Sequence, residues 1–135
     1  MGYDILEVEG IGPDNACKLG EVEIRSTDDF LFRCGSKPAR VNVSKRTGIA
    51  EKNLRRWANM ADLMRINGIG PQYSELLEAA GVDSIHELRE RQADRLAEMM
   101  KRANRKARLV RATPPVSLIV RWIQEAESME PGVLD

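Results

Sequence analysis

Little in this sequence points to covalent stapling, metal chemistry or a membrane. The two cysteines, Cys17 and Cys34, have no Cys-x-x-Cys partner, so neither a disulfide-stapled secreted module nor a cysteine metal site fits. The single histidine, His86, cannot supply the paired imidazoles common at zinc. Aromatic residues make up 4% of the chain, too few for an aromatic-rich β-sandwich. No apolar run approaches the roughly 20 residues a membrane-spanning helix needs. The first residues, with Asp4, Glu7 and Glu9, lack a signal peptide's basic and apolar regions, so a cytoplasmic protein is expected. An excess of charge of one sign is missing too. The 21 basic and 21 acidic residues cancel, which removes the simple electrostatic argument for a nucleic-acid partner.

What the chain does have is an internal repeat. Its 135 residues, 42% hydrophobic and 31% charged, suffice for one ordinary domain or two very small ones. Gly10-Ile11-Gly12-Pro13 recurs as Gly68-Ile69-Gly70-Pro71, a spacing of 58, and the register continues through Leu19 and Leu77, Ile24 and Val82, and Ser26 and Ser84. Arg56-Trp57 then aligns with Arg121-Trp122 at a spacing of 65, so the second copy carries about seven extra residues between its halves. Two related units are expected, residues 1–64 and 65–129, followed by a flexible tail at 130–135.

Helix signals dominate both units. Glycines flanking an isoleucine permit a tight turn with positive φ, and the proline that follows suits the first turn of a helix. Ser26 or Thr27, and Ser84, are placed to cap a second helix, with Asp29 and Glu87 at capping-box spacing. Gly35 is expected to end that helix in the first unit, and Ser36-Lys37-Pro38 to start another. Thr47-Gly48-Ile49 separates it from a helix over Ala50 to Met64. In the second unit residues 93 to 110 give a long helical pattern, and Pro114-Pro115 precedes Val116, Ile119, Trp122, Ile123 and Ala126. About ten short helices and essentially no sheet are expected. A unit of about 60 residues is marginal alone, so the two should pack as one compact module and melt in a single transition.

These residues resemble the helix-hairpin-helix superfamily, in which a Gly-apolar-Gly hairpin joins two short helices. Each unit is similar to the double helix-hairpin-helix domain at the N-terminus of archaeal and eukaryotic recombinases. The tandem arrangement most resembles domain-of-unknown-function family 4332. The second unit departs from the pattern between Ala103 and Pro115, where the Thr-Gly-Ile turn has no evident counterpart. For DNA-binding members the resemblance implies that hairpin amides hold a backbone phosphate without reading bases, as exposed amides at a helix N-terminus can. Where such proteins often carry a basic residue after Gly-x-Gly-Pro, this chain has Asp14 and Gln72. Lys18 follows in the first unit, but Glu75 and Glu78 follow in the second.

The zero net charge hides segregation. Residues 1–29 carry a net −6 and residues 33–56 a net +7; residues 66–100 carry −4 and residues 101–121 carry +7. Each unit is acidic first and basic second. The basic segments could track a phosphate backbone, or the two signs could neutralise one another within the chain or between copies. Enzymatic chemistry finds no support: the glycines lack the lysine-serine pair and preceding strand of a nucleotide loop, and no carboxylate constellation stands out. Cys17 reads as an exposed thiol and Cys34 as a packed one. Trp57 and Trp122 read as core anchors, and Met60, Met64, Met99, Met100 and Met129 as filler.

Two functions therefore stay open, with no catalytic residues, metal, cofactor, small-molecule substrate or membrane role expected. The leading one is a sequence-nonspecific DNA-binding module. It would use Gly10, Ile11, Gly12, Gly68, Ile69 and Gly70 of the hairpins together with Lys18, Lys37, Arg40, Lys45, Arg46, Arg55, Arg56, Lys101, Arg102, Arg105 and Lys106. The other is a protein-interaction or scaffolding module, self-associating or not, with no nucleic-acid role.

Overall fold

The computed structural model describes residues 2–134. Among these, eight α-helices form: α1 (Gly12–Glu21), α2 (Thr27–Cys34), α3 (Lys37–Thr47), α4 (Glu51–Leu63), α5 (Pro71–Ala79), α6 (Ile85–Arg89), α7 (Ala93–Ala107) and α8 (Val116–Glu127). A 3-10 turn at Ile5–Glu7 precedes α1, and extended pairing among the described residues is limited to a single bridge between Asp4 and Ser26. The all-helical class stands, with fewer helices than the ten anticipated. Among the described residues no 3-10 turn lies between the end of α4 at Leu63 and Gly68.

The chain divides into two compact units. One comprises the described residues up to Asp62 together with 131–134; the other is Leu63–Glu130. Inside each, the repeated sequence makes similar local structure, although Gly12 has φ +68° and Gly70 φ −100°. Gly10 and Gly68 have φ of +95° and +96°, and the amides of Ile11 and Ile69 turn back to the carbonyls of Val8 and Ile66 at 3.3 and 3.0 Å. Both isoleucines are buried. The first helix of each unit ends with the same doubled bond, from Val22 and Ile24 onto Leu19 O and from Ala80 and Val82 onto Leu77 O. Ser26 then caps α2, accepting from the Asp29 amide at 3.1 Å while the Asp29 carboxylate accepts from the Ser26 amide at 3.2 Å. Ser84 caps α6 at 3.2 Å, but the Glu87 carboxylate pairs with Arg91 at 3.1 Å; the capping box expected here forms in its first half.

The tryptophans explain why the first glycine of each hairpin is glycine. A Cβ at Gly10 would lie 3.2 Å from Trp57 Nε1, and one at Gly68 would lie 3.0 Å from Trp122 Nε1. Each indole thus closes over the turn of its own unit, and both are buried. Their Nε1 atoms have no hydrogen-bond acceptor among the described residues. An orphaned buried N–H costs about 1–3 kcal/mol, so packing against the turn must outweigh it. Tyr73 adds a tilted ring contact to Trp122, with centroids 5.4 Å apart. In the second unit the indole belongs to a core with Leu77, Val82, Leu88, Leu96, Met100 and Ile119, all fully or almost fully buried.

Of the segment expected to be a free tail, residues 131–134 are instead tied to the first unit, and Asp135 lies outside the described residues. Gly132 donates its amide to the buried Asp62 carboxylate at 2.8 Å, Val133 is buried, and Leu134 donates to Gly35 O. The Leu134 carbonyl accepts from Arg40 Nη2 at 3.1 Å. Gly35 permits this approach, since a Cβ there would lie 2.7 Å from Gly132 O. In the second unit Arg89 makes a comparable clamp, its Nε donating to Ala126 O at 2.8 Å and its Nη2 to Met129 O at the end of α8.

Candidate functional site

The two Gly-Ile-Gly-Pro turns share the positive φ of their first glycine but differ at the second, where Gly12 has φ +68° and Gly70 −100°, and in the charge placed against them. Ile11 and Ile69 turn their side chains into the core and commit their amides to the turn, so amides for an external acceptor begin at Gly12 and Gly70. Neither α1 nor α5 has a side-chain cap at its start, and an uncapped helix N-terminus favours an anion. At the first hairpin the Arg56 guanidinium approaches from α4, its Nη1 3.1 Å from where a Cβ on Gly10 would sit. At the second, the nearest groups to Gly68 are Trp122 and Leu118. There the Glu125 carboxylate of α8 accepts from the Asn67 amide at 3.3 and 3.4 Å. A carboxylate beside the turn opposes a phosphate as directly as a guanidinium favours one.

Among the basic residues anticipated as contacts, Arg40 proves structural. It is 1% exposed, and its guanidinium donates to the carbonyls of Cys34, Gly35 and Leu134 and to the Glu51 carboxylate at 2.8 Å. Four of its five N–H donors are used internally in a buried setting, which takes it out of the contact surface. Lys37 and Arg55 share with it a surface hollow of about 220 Å³ that also includes Glu51. Lys18 is exposed on α1, Lys45 and Arg46 in the last turn of α3, and Arg55 and Arg56 on α4.

The second unit gathers its cations more tightly. Lys101, Arg102, Arg105 and Lys106 are all exposed along the C-terminal half of α7. Lys101 and Arg105, one turn apart, line a hollow of about 440 Å³ with Asn104, Arg111, Ala112 and Thr113. Arg102 lines the neighbouring hollow with Asp94, Arg95 and Glu98, and Lys101 borders both. Arg111 was absent from the anticipated contact set; the available signal was its place among the extra residues of the second repeat. Asn104 positions it: Oδ1 accepts from the amides of Leu109 and Val110 at 2.8 and 3.0 Å, and Nδ2 donates to Val110 O at 2.9 Å. The Tyr73 hydroxyl reaches Ala112 O at 3.4 Å. The α7 helix closes on Arg108 with φ +51°, a left-handed cap that redirects the chain into this loop.

Among the described residues no group of three or more His, Cys, Asp or Glu side chains is arranged to hold a metal ion. His86 is exposed on α6. Cys17 is exposed, whereas Cys34 is fully buried and burial pushes its thiol up to about 12 despite the nearby Arg40 and Arg33. No helix among the described residues is long and apolar enough to cross a membrane.

The family model described as "Domain of unknown function (DUF4332)" matches residues 9–129, and the chain belongs to that family. No curated protein and no solved structure matches it.

Proposed function

We propose that this protein is a non-enzymatic, sequence-nonspecific DNA-binding module built from two double helix-hairpin-helix units that contact the phosphate backbone. The observation that carries this reading is the exposed cationic stretch of the second unit. Between Lys101 and Arg111 the chain has six basic residues and no acid, and three of them converge on one hollow. Nonspecific binding needs just this, a set of cations that can displace the counterions condensed on a duplex. The Gly10-Ile11-Gly12 turn, uncapped and flanked by Arg56, supports a further phosphate contact in the first unit. Glu125 argues against an equal contact at Gly68-Ile69-Gly70, so the reading is asymmetric.

Fluorescence anisotropy of labelled duplex and single-stranded DNA, titrated with the full chain at several salt concentrations, tests it. With about four phosphates neutralised, affinity should fall about 150-fold between 50 and 200 mM salt. Reversing charge at Arg102, Arg105 and Lys106 together should abolish retention while leaving the helical fold intact. Unchanged binding by that variant would remove the proposed surface.

One observation favours a protein partner instead. Phe32 on α2 is 86% exposed and Leu6 is 55% exposed, large apolar groups that the DNA reading leaves unused. Absence of DNA binding even at low salt, with association of copies in sedimentation, would favour this second reading.

A further inference from the structure

We infer that the hollow bounded by Lys101, Arg105 and Arg111 is a site for a phosphomonoester, a terminal phosphate dianion rather than a phosphodiester. This rests on the DNA reading only in naming a strand end as one source; the site itself follows from its construction.

The hollow is specific to the second unit. The spacing between equivalent residues is 58 at the hairpin glycines, 60 between the left-handed caps Gly48 and Arg108, and 65 at the tryptophans. Five of the seven extra residues thus fall between Arg108 and α8, where the first unit has the short link from Gly48 to Glu51. Those extra residues supply Arg111 and Thr113 to the rim, while α7 supplies Lys101 and Arg105. The loop is held by the three hydrogen bonds of Asn104 and by Tyr73, so ordering it on binding carries a reduced entropic cost.

The charge balance selects the ligand. Among the described residues no carboxylate lines this hollow, whereas Glu51 shares the one beside Arg40, and Asp94 and Glu98 share the one that Arg102 and Lys101 also line. Glu98 approaches Lys101 from outside, at 3.7 Å between exposed groups, where an ion pair is worth little. Three cations around one depression exceed what a single diester charge requires. They match a phosphomonoester, which carries nearly two charges at neutral pH and has three acceptor oxygens for Arg and Thr donors.

The test uses the full chain and two 3′-labelled duplexes identical except for a 5′-phosphate or a 5′-hydroxyl. The 5′-phosphorylated duplex should bind about tenfold tighter, and methyl phosphate, a monoester, should erase that preference where dimethyl phosphate does not. Arg111→Ala should remove the preference without lowering the melting temperature, and Arg33→Ala, in the other unit, should keep it. Equal binding of both duplexes, with salt-dependent affinity intact and no NMR shift of Arg111 on adding methyl phosphate, would overturn the site and leave the DNA reading standing. Saturable shifts at Lys101, Arg105 and Arg111 with methyl phosphate, but no binding of either duplex, would support the site with a free phosphomonoester as its source and sink the DNA reading. Absence of both responses would overturn both.

Discussion

Three glycines of the first unit separate the physical demands made on its hairpin, and replacing each with alanine measures them one at a time. Gly20→Ala adds a methyl inside α1 where nothing lies within 4 Å. It should stabilise the unit by about 0.5–1 kcal/mol through helix propensity. Gly12→Ala also meets nothing within 4 Å but must hold φ +68°, so it should cost about 1 kcal/mol. Gly10→Ala faces the same backbone penalty at φ +95° and places its Cβ 3.1 Å from Arg56 Nη1 and 3.2 Å from Trp57 Nε1. The arginine contact is to the far end of an exposed, flexible side chain. The indole is 3% exposed and cannot move without disturbing its packing, which adds roughly 1–2 kcal/mol of overpacking to the backbone term. The expected loss is about 2–3 kcal/mol. Urea unfolding followed by circular dichroism gives the three values, and adding Trp57→Phe to Gly10→Ala should recover part of the loss, because the smaller ring lacks the Nε1 edge. A Gly10→Ala variant no worse than Gly12→Ala, or strict additivity with Trp57→Phe, would refute closure of the indole over the turn.

Further outcomes follow from other features. Arg40→Ala should cost about 3 kcal/mol in urea unfolding, by leaving three carbonyls and Glu51 without their donor, yet leave the DNA affinity of the folded protein unchanged. A thiol titration at pH 8 should find Cys17 reactive in the native protein and Cys34 reactive only after unfolding, since burial and a raised pKa both suppress its thiolate. Asp29, held below the usual 3.8 first by the Arg25 backbone N–H and then by Ser26, stabilises the fold above that pH and loses its contribution as pH falls through the lowered value. Asp29→Asn should therefore flatten the acid limb of a stability-against-pH curve below about pH 4. Under the proposed function, Glu125→Gln should tighten DNA binding severalfold in the anisotropy assay, because it removes the carboxylate from the second hairpin.

The features legible in the sequence are those that backbone geometry imposes on residue type. A positive φ at Gly10 and Gly68, a serine before α2, α3 and α6, and a proline in the first turn of α1 and α5 each leave a local mark. Arg40 was misread because charge counting treats every arginine as surface. Its position three residues before the buried Val43, on the inward face of α3, was the available clue. The docking of residues 131–134 left less to read, since three of its ties use main-chain atoms and only Val133 presents a buried apolar side chain. The placement of Arg111 depends on a side-chain latch from Asn104, seven positions away, which no periodicity encodes.

The repeat has kept the first glycine of its turns and changed the charge beside them, and that bears on how DNA would be held. Gly10 matches Gly68 in conformation, and Ile11 and Trp57 match Ile69 and Trp122 in burial, yet Gly12 and Gly70 differ in φ, and Arg56 stands against one turn and Glu125 against the other. If an uncapped helix start alone fixed phosphate binding, both turns would engage. With the basic surface of α7 the salt slope would then approach that of about six contacts, roughly −5.4. If the side chains decide, the second hairpin drops out, about four contacts remain, and the slope is near −3.6. Introducing Glu125→Gln should move the slope toward the steeper value in the second case and leave it unchanged in the first. The salt dependence of one variant thus distinguishes binding set by the turn from binding set by what surrounds it.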